Sequence, residues 1–145
     1  RLYKIHGSID WIEKDDKIQQ VQEYSGKENI LIYPTQAKHF ETQYTPYSEL
    51  FREMSIKLQS PNTTLIILGY GFSDDHINNL IAQSLTNEDF NLIILSSLKE
   101  ERAKEFFNKY NDNTNIHFIG GKNEKGKPLH YFDIFLSILN GGVMD

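Results

Sequence analysis

The second half of the chain alternates short, continuous apolar runs with longer amphipathic segments. The runs are Leu65–Leu68, Leu92–Leu95 and Ile116–Ile119, and an earlier run, Ile30–Tyr33, has the same character. Strands that are apolar on both sides are typical of a parallel sheet that is covered on both faces. We therefore predict that these four runs are neighbouring strands of one mostly parallel sheet.

Between and after these runs, hydrophobic residues recur every three or four positions, which is the spacing of a helix face. Pro46 suits the first position of the first helix, and Ser97 with Glu100 forms the pattern of a capping box that opens the third. Gly141 and Gly142 are predicted to end the fourth helix. The four stripes are Tyr47, Leu50, Phe51, Met54 and Leu58; Ile77, Leu80, Ile81 and Leu85; Ala103, Phe106, Phe107 and Tyr110; and Leu129, Phe132, Phe135, Leu136 and Leu139.

Strict alternation of strand and helix predicts an α/β, Rossmann-like fold, with a mostly parallel sheet and helices on both of its faces. The amino-terminal residues differ from this pattern. Leu2–Ile5 is predicted as a short strand, and Ile9–Ile12 and Ile18–Gln22 alternate weakly around a polar turn, which predicts a hairpin. Since no repeat, low-complexity tract or linker interrupts the chain, residues 1–145 are interpreted as part of one domain.

Composition and charge narrow the functional classes. The chain has 145 residues, 39% of them hydrophobic and 24% charged, which is typical of a globular domain. Its net charge of −5 argues against direct nucleic-acid binding. The lack of cysteine excludes disulfides and thiolate zinc sites and fits a reducing cytosol. No apolar run approaches the roughly 18 residues of a membrane span, so we expect a cytoplasmic protein without a membrane partner.

The stretch LIILGYGFSDDHIN, residues 65–78, is the strongest candidate for a ligand loop, because open α/β sheets bind ligands beyond the carboxyl ends of their strands. Gly69 and Gly71 allow a sharp turn and close approach of a ligand. Ser73 and Asp74 precede a helix whose amides favour an anion. The carboxylates of Asp74 and Asp75 oppose a phosphate, however, and the third glycine of the dinucleotide fingerprint is absent. A purely structural turn is therefore an equal alternative.

His6 is the candidate for acid–base chemistry. It follows the apolar residues of the predicted first strand and precedes Gly7 and Ser8. A neutral imidazole, which titrates near pH 6.5, can accept a proton from a hydroxyl group or a water. A histidine that is satisfied within a backbone turn is the structural alternative. The other histidines have no carboxylate or second ligand at metal spacing, so no metal site is predicted.

The chain resembles the carboxyl-terminal part of a sirtuin-like domain over nearly its whole length, because four features occur in the same order in both. They are KIHGSIDW at residues 4–11, a strand ending in Tyr33-Pro34, the stretch at residues 65–78, and a strand ending in Ser96-Ser97. The resemblance is greater to the sirtuin-like NADases of bacterial anti-phage defence than to protein deacetylases. It implies a Rossmann-like fold that binds NAD and cleaves its nicotinamide–ribose bond.

The resemblance also implies roles for single residues. His6 matches the catalytic histidine of the family's His-Gly motif, and Ser96 matches, by position, a contact to the adenosine ribose. The loop that lies along the ribose and phosphate of NAD corresponds to Gly69, Tyr70, Gly71, Phe72 and Ser73.

Two departures from the family pattern refine these expectations. The four-cysteine zinc module of deacetylases has no counterpart here, which favours NAD hydrolysis without zinc. The family's glycine-rich diphosphate loop and its asparagine belong to an amino-terminal part that does not precede Arg1. We therefore expect activity in a full-length parent, with a homo-oligomer or fused effector or sensor domains, and an inactive isolated chain. A nucleotide-binding module without chemistry and an oligomerisation module are the alternatives.

Overall fold

The computed structural model describes residues 2–15, 17–21, 29–31 and 47–141. The chain divides into two compact units, Arg1–Ile56 and Lys57–Asp145. Two three-stranded sheets are present in the described residues, one formed by strands of the first unit and one by strands of the second. The predicted α/β class is confirmed, with a parallel sheet flanked by helices and an antiparallel hairpin near the amino terminus.

The first unit contains an antiparallel sheet of strands β1 (Gly7–Lys14), β2 (Lys17–Gln20) and β3 (Asn29–Leu31) in the order β2-β1-β3. Strands β1 and β2 form the predicted hairpin, in which Lys14 pairs with Lys17. Asp15 adopts a φ of 53° in the turn, a left-handed conformation that a short polar side chain tolerates. The polar turn therefore sets the register of the hairpin.

Two predictions for this unit are wrong. Of the predicted run Ile30–Tyr33, Ile30 and Leu31 belong to β3, which pairs antiparallel with β1 through Gly7 and Leu31 and is not part of the parallel sheet. Tyr33 and Pro34 lie outside the described residues. Leu2–Ile5 is not a strand either. Instead, the Gly7 amide donates to the Lys4 carbonyl at 2.9 Å and closes a turn, and Gly7 has the φ of 78° that a glycine adopts readily.

Helix α1 (Tyr47–Leu58) carries the first predicted stripe, and Tyr47 and Leu58 at its two ends are buried. On its exposed side, Arg52 pairs with Glu49 at 2.7 Å, one turn apart. Pro46, which was predicted as the first helical residue, lies outside the described residues. The predicted stripe is confirmed, and the helix begins at Tyr47.

The second unit contains the parallel sheet, with strand order β4-β5-β6. Leu65 pairs with Leu92, and Leu92 in turn pairs with Ile116. Three of the four apolar runs are therefore confirmed as adjacent parallel strands. The elements of this unit are β4 (Thr64–Leu68), α2 (Asp75–Ser84), β5 (Asn91–Leu95), α3 (Glu101–Tyr110), β6 (Ile116–Ile119) and α4 (Phe132–Leu139).

The core of this unit is centred on the middle strand. Leu92 and Ile94 of β5 are inaccessible to solvent, as is Phe90 just before it. Apolar side chains buried to this degree contribute roughly 1.5–3 kcal/mol each. The Asn115 side chain donates to three carbonyl oxygens, including that of Phe90 at 2.8 Å, and so joins the starts of β5 and β6.

Two predicted helix starts are wrong. Helix α3 begins at Glu101, because Ser97 Oγ accepts from the Lys99 amide at 3.1 Å and forms a separate turn instead of a capping box. Leu129 precedes α4, and its amide donates to the Gly121 carbonyl at 3.1 Å. The helix ends at Leu139, two residues before Gly141, as predicted, and Gly142 lies outside the described residues.

Candidate functional site

His6 lies in the turn that precedes β1, not at the end of a strand as the sequence indicated. It occupies the third position of the turn that the Lys4 carbonyl and the Gly7 amide close. Its imidazole is half-buried, and its ring centroid lies 6.4 Å from that of Phe51 in α1. A turn residue in contact with a helix side chain is held in place while part of it stays open to solvent.

A polar cluster joins the two ends of the His6 turn. Lys4 Nζ lies 2.7 Å from Ser8 Oγ and 3.1 Å from Asp10 Oδ1. The Ser8 hydroxyl also donates to Asp10, and the Gln20 side chain of the neighbouring strand donates to Asp10 Oδ2 at 2.5 Å. Because Lys4 precedes His6 and Ser8 follows it, these contacts restrain the backbone on both sides of the histidine.

The cluster also determines the charge of Asp10. Hydrogen bonds from Ser8, then Gln20, then Lys4 lower the pKa of Asp10 to about 2. The carboxylate is therefore ionised at neutral pH and keeps its ion pair with Lys4. Sequence reasoning missed this cluster, although Ser8 and Asp10 are two apart on a strand and so share a face.

The glycine loop, Gly69–Ser73, follows β4, as predicted. Gly69 has a φ of 72°, and Phe72 has a φ of 52°, which is uncommon for a residue with a side chain. Gly71 is not left-handed, and a Cβ atom placed on it would meet no atom within 4 Å. The loop therefore needs a glycine for its conformation at Gly69, while Gly71 borders open space.

Aromatic packing compensates for the unusual backbone of Phe72. This side chain is 5% exposed, and its ring centroid lies 4.8 Å from that of Tyr70 and 4.9 Å from that of Phe106 in α3. Tyr110 extends the row, with its centroid 4.9 Å from that of Phe106. Tilted aromatic pairs at these distances contribute about 0.5–1.5 kcal/mol each beyond burial, comparable with the strain of one left-handed residue.

Asn78 connects the loop to α2. Its Nδ2 donates to the Phe72 carbonyl at 3.1 Å, and its Oδ1 lies 2.9 Å from the Tyr70 hydroxyl. The same hydroxyl lies 3.0 Å from the Asp74 carbonyl, so one phenolic hydrogen serves two acceptors. Burial, with a smaller contribution from nearby carboxylates, raises the pKa of Tyr70 to about 12. Tyr70 is therefore a neutral hydrogen-bond donor, and sequence reasoning missed its partner Asn78.

Asp74 caps α2. Its Oδ1 accepts from the amides of His76 at 3.0 Å and Ile77 at 3.4 Å, and the residue is 5% exposed. A carboxylate at this position satisfies the amides that would otherwise attract a phosphate. The helix start is therefore occupied by its own side chain, and the exposed Ser73 is the polar loop residue open to a ligand.

Phe72 and Ser73 border a cleft of about 450 Å³ between α2 and α3. Arg102 and Lys109 of α3 line it together with Glu105. The cleft thus offers both cationic and anionic groups next to the glycine loop, within the size range of small-molecule sites.

Ser96 lies at the end of β5, beside the glycine loop. Leu68 and Leu95 are paired in the sheet, which brings the residues after β4 and after β5 to the same edge. Ser96 is 9% exposed, and its amide donates to the Ile119 carbonyl at 3.2 Å. The structure thus groups Ser96 with the loop in the second unit, and places His6 in the first.

Residues 2–15, 17–21, 29–31 and 47–141 contain no group of three or more histidine, aspartate or glutamate side chains able to hold a metal ion. In the same part of the chain, no helix is long and apolar enough to cross a membrane.

Comparison with known proteins identifies the family. The family described as SIR2-like domain matches residues 1–119, which extend from the His6 turn through the glycine loop to the last residue of β6. No curated protein matches the chain at a significant level. Since the family match spans well over half of the sequence, the chain belongs to the SIR2-like domain family.

Proposed function

We propose that the chain is the carboxyl-terminal part of a SIR2-like domain that hydrolyses NAD at its nicotinamide–ribose bond. SIR2-like domains bind NAD, and the family match includes both the His6 turn and the glycine loop. The observation that carries the proposal is the His6 turn, which a backbone hydrogen bond and the Lys4 cluster hold on both sides of a half-buried imidazole.

The chemistry requires a proton acceptor. Breaking the nicotinamide bond leaves positive charge on the ribose, and the attacking water must lose a proton. A neutral His6 accepts that proton, directly or through a ribose hydroxyl. Histidine is the side chain that most often serves as a general base, which suits this role. The ionised Asp10 holds no proton at neutral pH and so contributes by positioning.

The loops that follow strands of the parallel sheet bind the NAD molecule. Gly71 faces open space, so the backbone of Gly69–Ser73 leaves room for the ribose and phosphate of NAD. The exposed Ser73 hydroxyl supplies a polar contact, and Ser96 at the adjacent strand end contacts the adenosine ribose. Asp74 repels phosphate from the helix start, so we expect backbone groups to make the phosphate contacts in this loop.

The test is NAD hydrolysis by the full-length parent that contains this chain. We expect His6→Ala to lower the rate about a hundredfold to ten-thousandfold, which is the usual cost of losing a general base. His117→Ala, at an exposed histidine on β6, is the matched control and should keep the parental rate. A thermal melt must show that both variants are folded.

Three outcomes would favour the alternatives. If folded His6→Ala hydrolyses NAD at the parental rate, His6 is only a turn residue. If the parent binds NAD without hydrolysing it, the domain is a nucleotide-binding module. An oligomerisation role would show as self-association of a parent that binds no NAD.

We also propose that this activity serves bacterial anti-phage defence in the cytoplasm, through a parent that is oligomeric or fused to effector or sensor domains. NAD loss on phage infection, present with the parental protein and absent with His6→Ala, is the expected result. For the isolated chain we expect weak NAD binding or none.

A further inference from the structure

A cleft of about 500 Å³ lies at the carboxyl ends of β5 and β6, apart from the one beside the glycine loop. Ser97–Lys99, which follow β5, form one side of it. The other side is formed by residues between Gly121 and Tyr131. This second side lies beyond residues 1–119 of the family match. In open α/β sheets, ligands bind at this end of the strands.

The charged side chains among the described residues that line this cleft have one sign. Lys99 and Lys122 line it, and none of the described lining residues is an aspartate or a glutamate. Ser97 Oγ accepts from the Lys99 amide, which leaves the hydroxyl hydrogen to donate to a ligand. In dinucleotide sites, a carboxylate binds the 2′-hydroxyl of the NAD ribose, whereas a cationic side chain accommodates the 2′-phosphate of NADP. Lys99 and Lys122 in the lining of this cleft match the cationic, NADP type of site.

The cleft also has an apolar wall. Leu98 is 57% exposed and Tyr131 is 52% exposed, although both are large apolar side chains at a concave surface. Exposed apolar groups beside polar ones mark binding sites more often than isolated surface residues do. An aromatic ring provides a stacking surface for a nucleobase. The cleft therefore combines a surface for a base with cations for a phosphate.

Contacts within the chain hold the backbone around the cleft. A Cβ atom on Gly120 would lie 2.6 Å from Leu98 Cδ2, so the absence of a side chain there allows the two loops to touch. Gly121 has a φ of 92°, and its carbonyl accepts from the Leu129 amide at 3.1 Å. A bridge between Lys122 and Pro128 closes the loop. A preformed site loses less conformational entropy when it binds a ligand.

We propose that this cleft binds the phosphorylated adenosine ribose of NADP, so that the domain prefers NADP to NAD. This inference rests on the proposed function, since it names the form of the dinucleotide that the site selects. Lys99 and Lys122 bind the 2′-phosphate, and Leu98 and Tyr131 contact the adenine.

Calorimetry with the full-length parent tests the proposal, with NAD and NADP as the ligands. We expect NADP to bind at least about tenfold more tightly than NAD. Lys99→Gln and Lys122→Gln should each weaken NADP binding about three- to tenfold and leave NAD binding unchanged. Lys125→Gln is the matched control, because Lys125 is an exposed lysine of the same loop that does not line the cleft. It should leave both affinities unchanged. All three lysines are exposed, so the variants should fold.

Three results would overturn the inference. The two dinucleotides bind with equal affinity, the cleft variants lose affinity for both dinucleotides equally, or Lys125→Gln loses as much affinity for NADP as the cleft variants do. Nicotinamide release from each dinucleotide is measured in parallel. Selective NADP binding without hydrolysis would refute the proposed function and support the cleft. Hydrolysis of both dinucleotides without selective NADP binding would support the proposed function and refute the cleft as an NADP site.

Discussion

Gly69 and Gly71 provide a matched pair of substitutions in the same loop. A Cβ atom on either residue would meet no atom within 4 Å, so Gly69→Ala and Gly71→Ala introduce no clash. The two positions differ in backbone conformation, since Gly69 has a φ of 72° and Gly71 lies outside the left-handed region. The pair therefore isolates the cost of that conformation.

The expected difference follows from two terms. Replacing glycine by alanine stabilises a protein by about 0.4–1 kcal/mol, because it restricts the unfolded chain. This term is common to both variants and cancels in their difference. The left-handed conformation costs an L-residue about 1–2 kcal/mol, and this applies to Gly69 alone. We therefore expect Gly69→Ala to have a free energy of unfolding about 1–2 kcal/mol below that of Gly71→Ala.

Urea unfolding followed by circular dichroism measures this difference in stability. Calorimetry measures the NAD affinity of the folded variants. Gly71→Val fills the open space beside the loop without requiring a left-handed φ, so it should weaken NAD binding by the folded parent. Equal stability of the two alanine variants would refute the loop conformation. Parental NAD affinity in folded Gly71→Val would refute the close approach of the ligand and leave the conformation intact.

Two further predictions concern single carboxylates. The pKa of Asp10 is about 2 rather than 3.8, so the stability that its interactions provide is fully present above pH 3.8 and is lost as the pH falls towards 2. Carbon NMR titration should show that Ser8→Ala raises this pKa, because it removes a hydrogen bond that lowers it; an unchanged pKa would contradict the cluster. Asp74→Ala should lower the free energy of unfolding by about 0.5–2 kcal/mol and Asp74→Asn by much less, since asparagine also caps helices. Equal losses in urea unfolding would argue against the cap.

The parallel sheet could be predicted because its strands are apolar on both faces, as burial between helices requires. The run that starts at Ile30 has the same composition but pairs with β1 in an antiparallel sheet. A strand of three residues contains too little periodicity to reveal which sheet it joins. The false start of α3 has a different cause. Ser97 satisfies the Lys99 amide two residues later, and this local turn competes with the capping box.

The backbone conformation of the glycine loop was predictable in part from the sequence. Gly69 supplies the left-handed residue, and the carboxylate of Asp74 starts the helix, both from local sequence. The left-handed conformation of Phe72 was not predictable, because its compensation comes from Phe106, which is 34 positions away in the sequence. The Asp10 cluster was missed for the same reason, since one of its donors, Gln20, lies on the neighbouring strand.

The His6 turn and the glycine loop are stabilised by different forces, and this separates their responses to solution conditions. The His6 turn is held by part-buried polar contacts around Asp10, which weaken when that carboxylate is protonated. The glycine loop is held by Phe72, whose side chain is buried and aromatic, and by the neutral hydroxyl of Tyr70. Protonation of Asp10 should therefore loosen the His6 turn, whereas the packing of Phe72 does not depend on pH. In the proposed enzyme, Lys4→Met removes the cation of the Asp10 cluster and should lower hydrolysis more than it lowers dinucleotide binding; equal losses of both would argue against this separation.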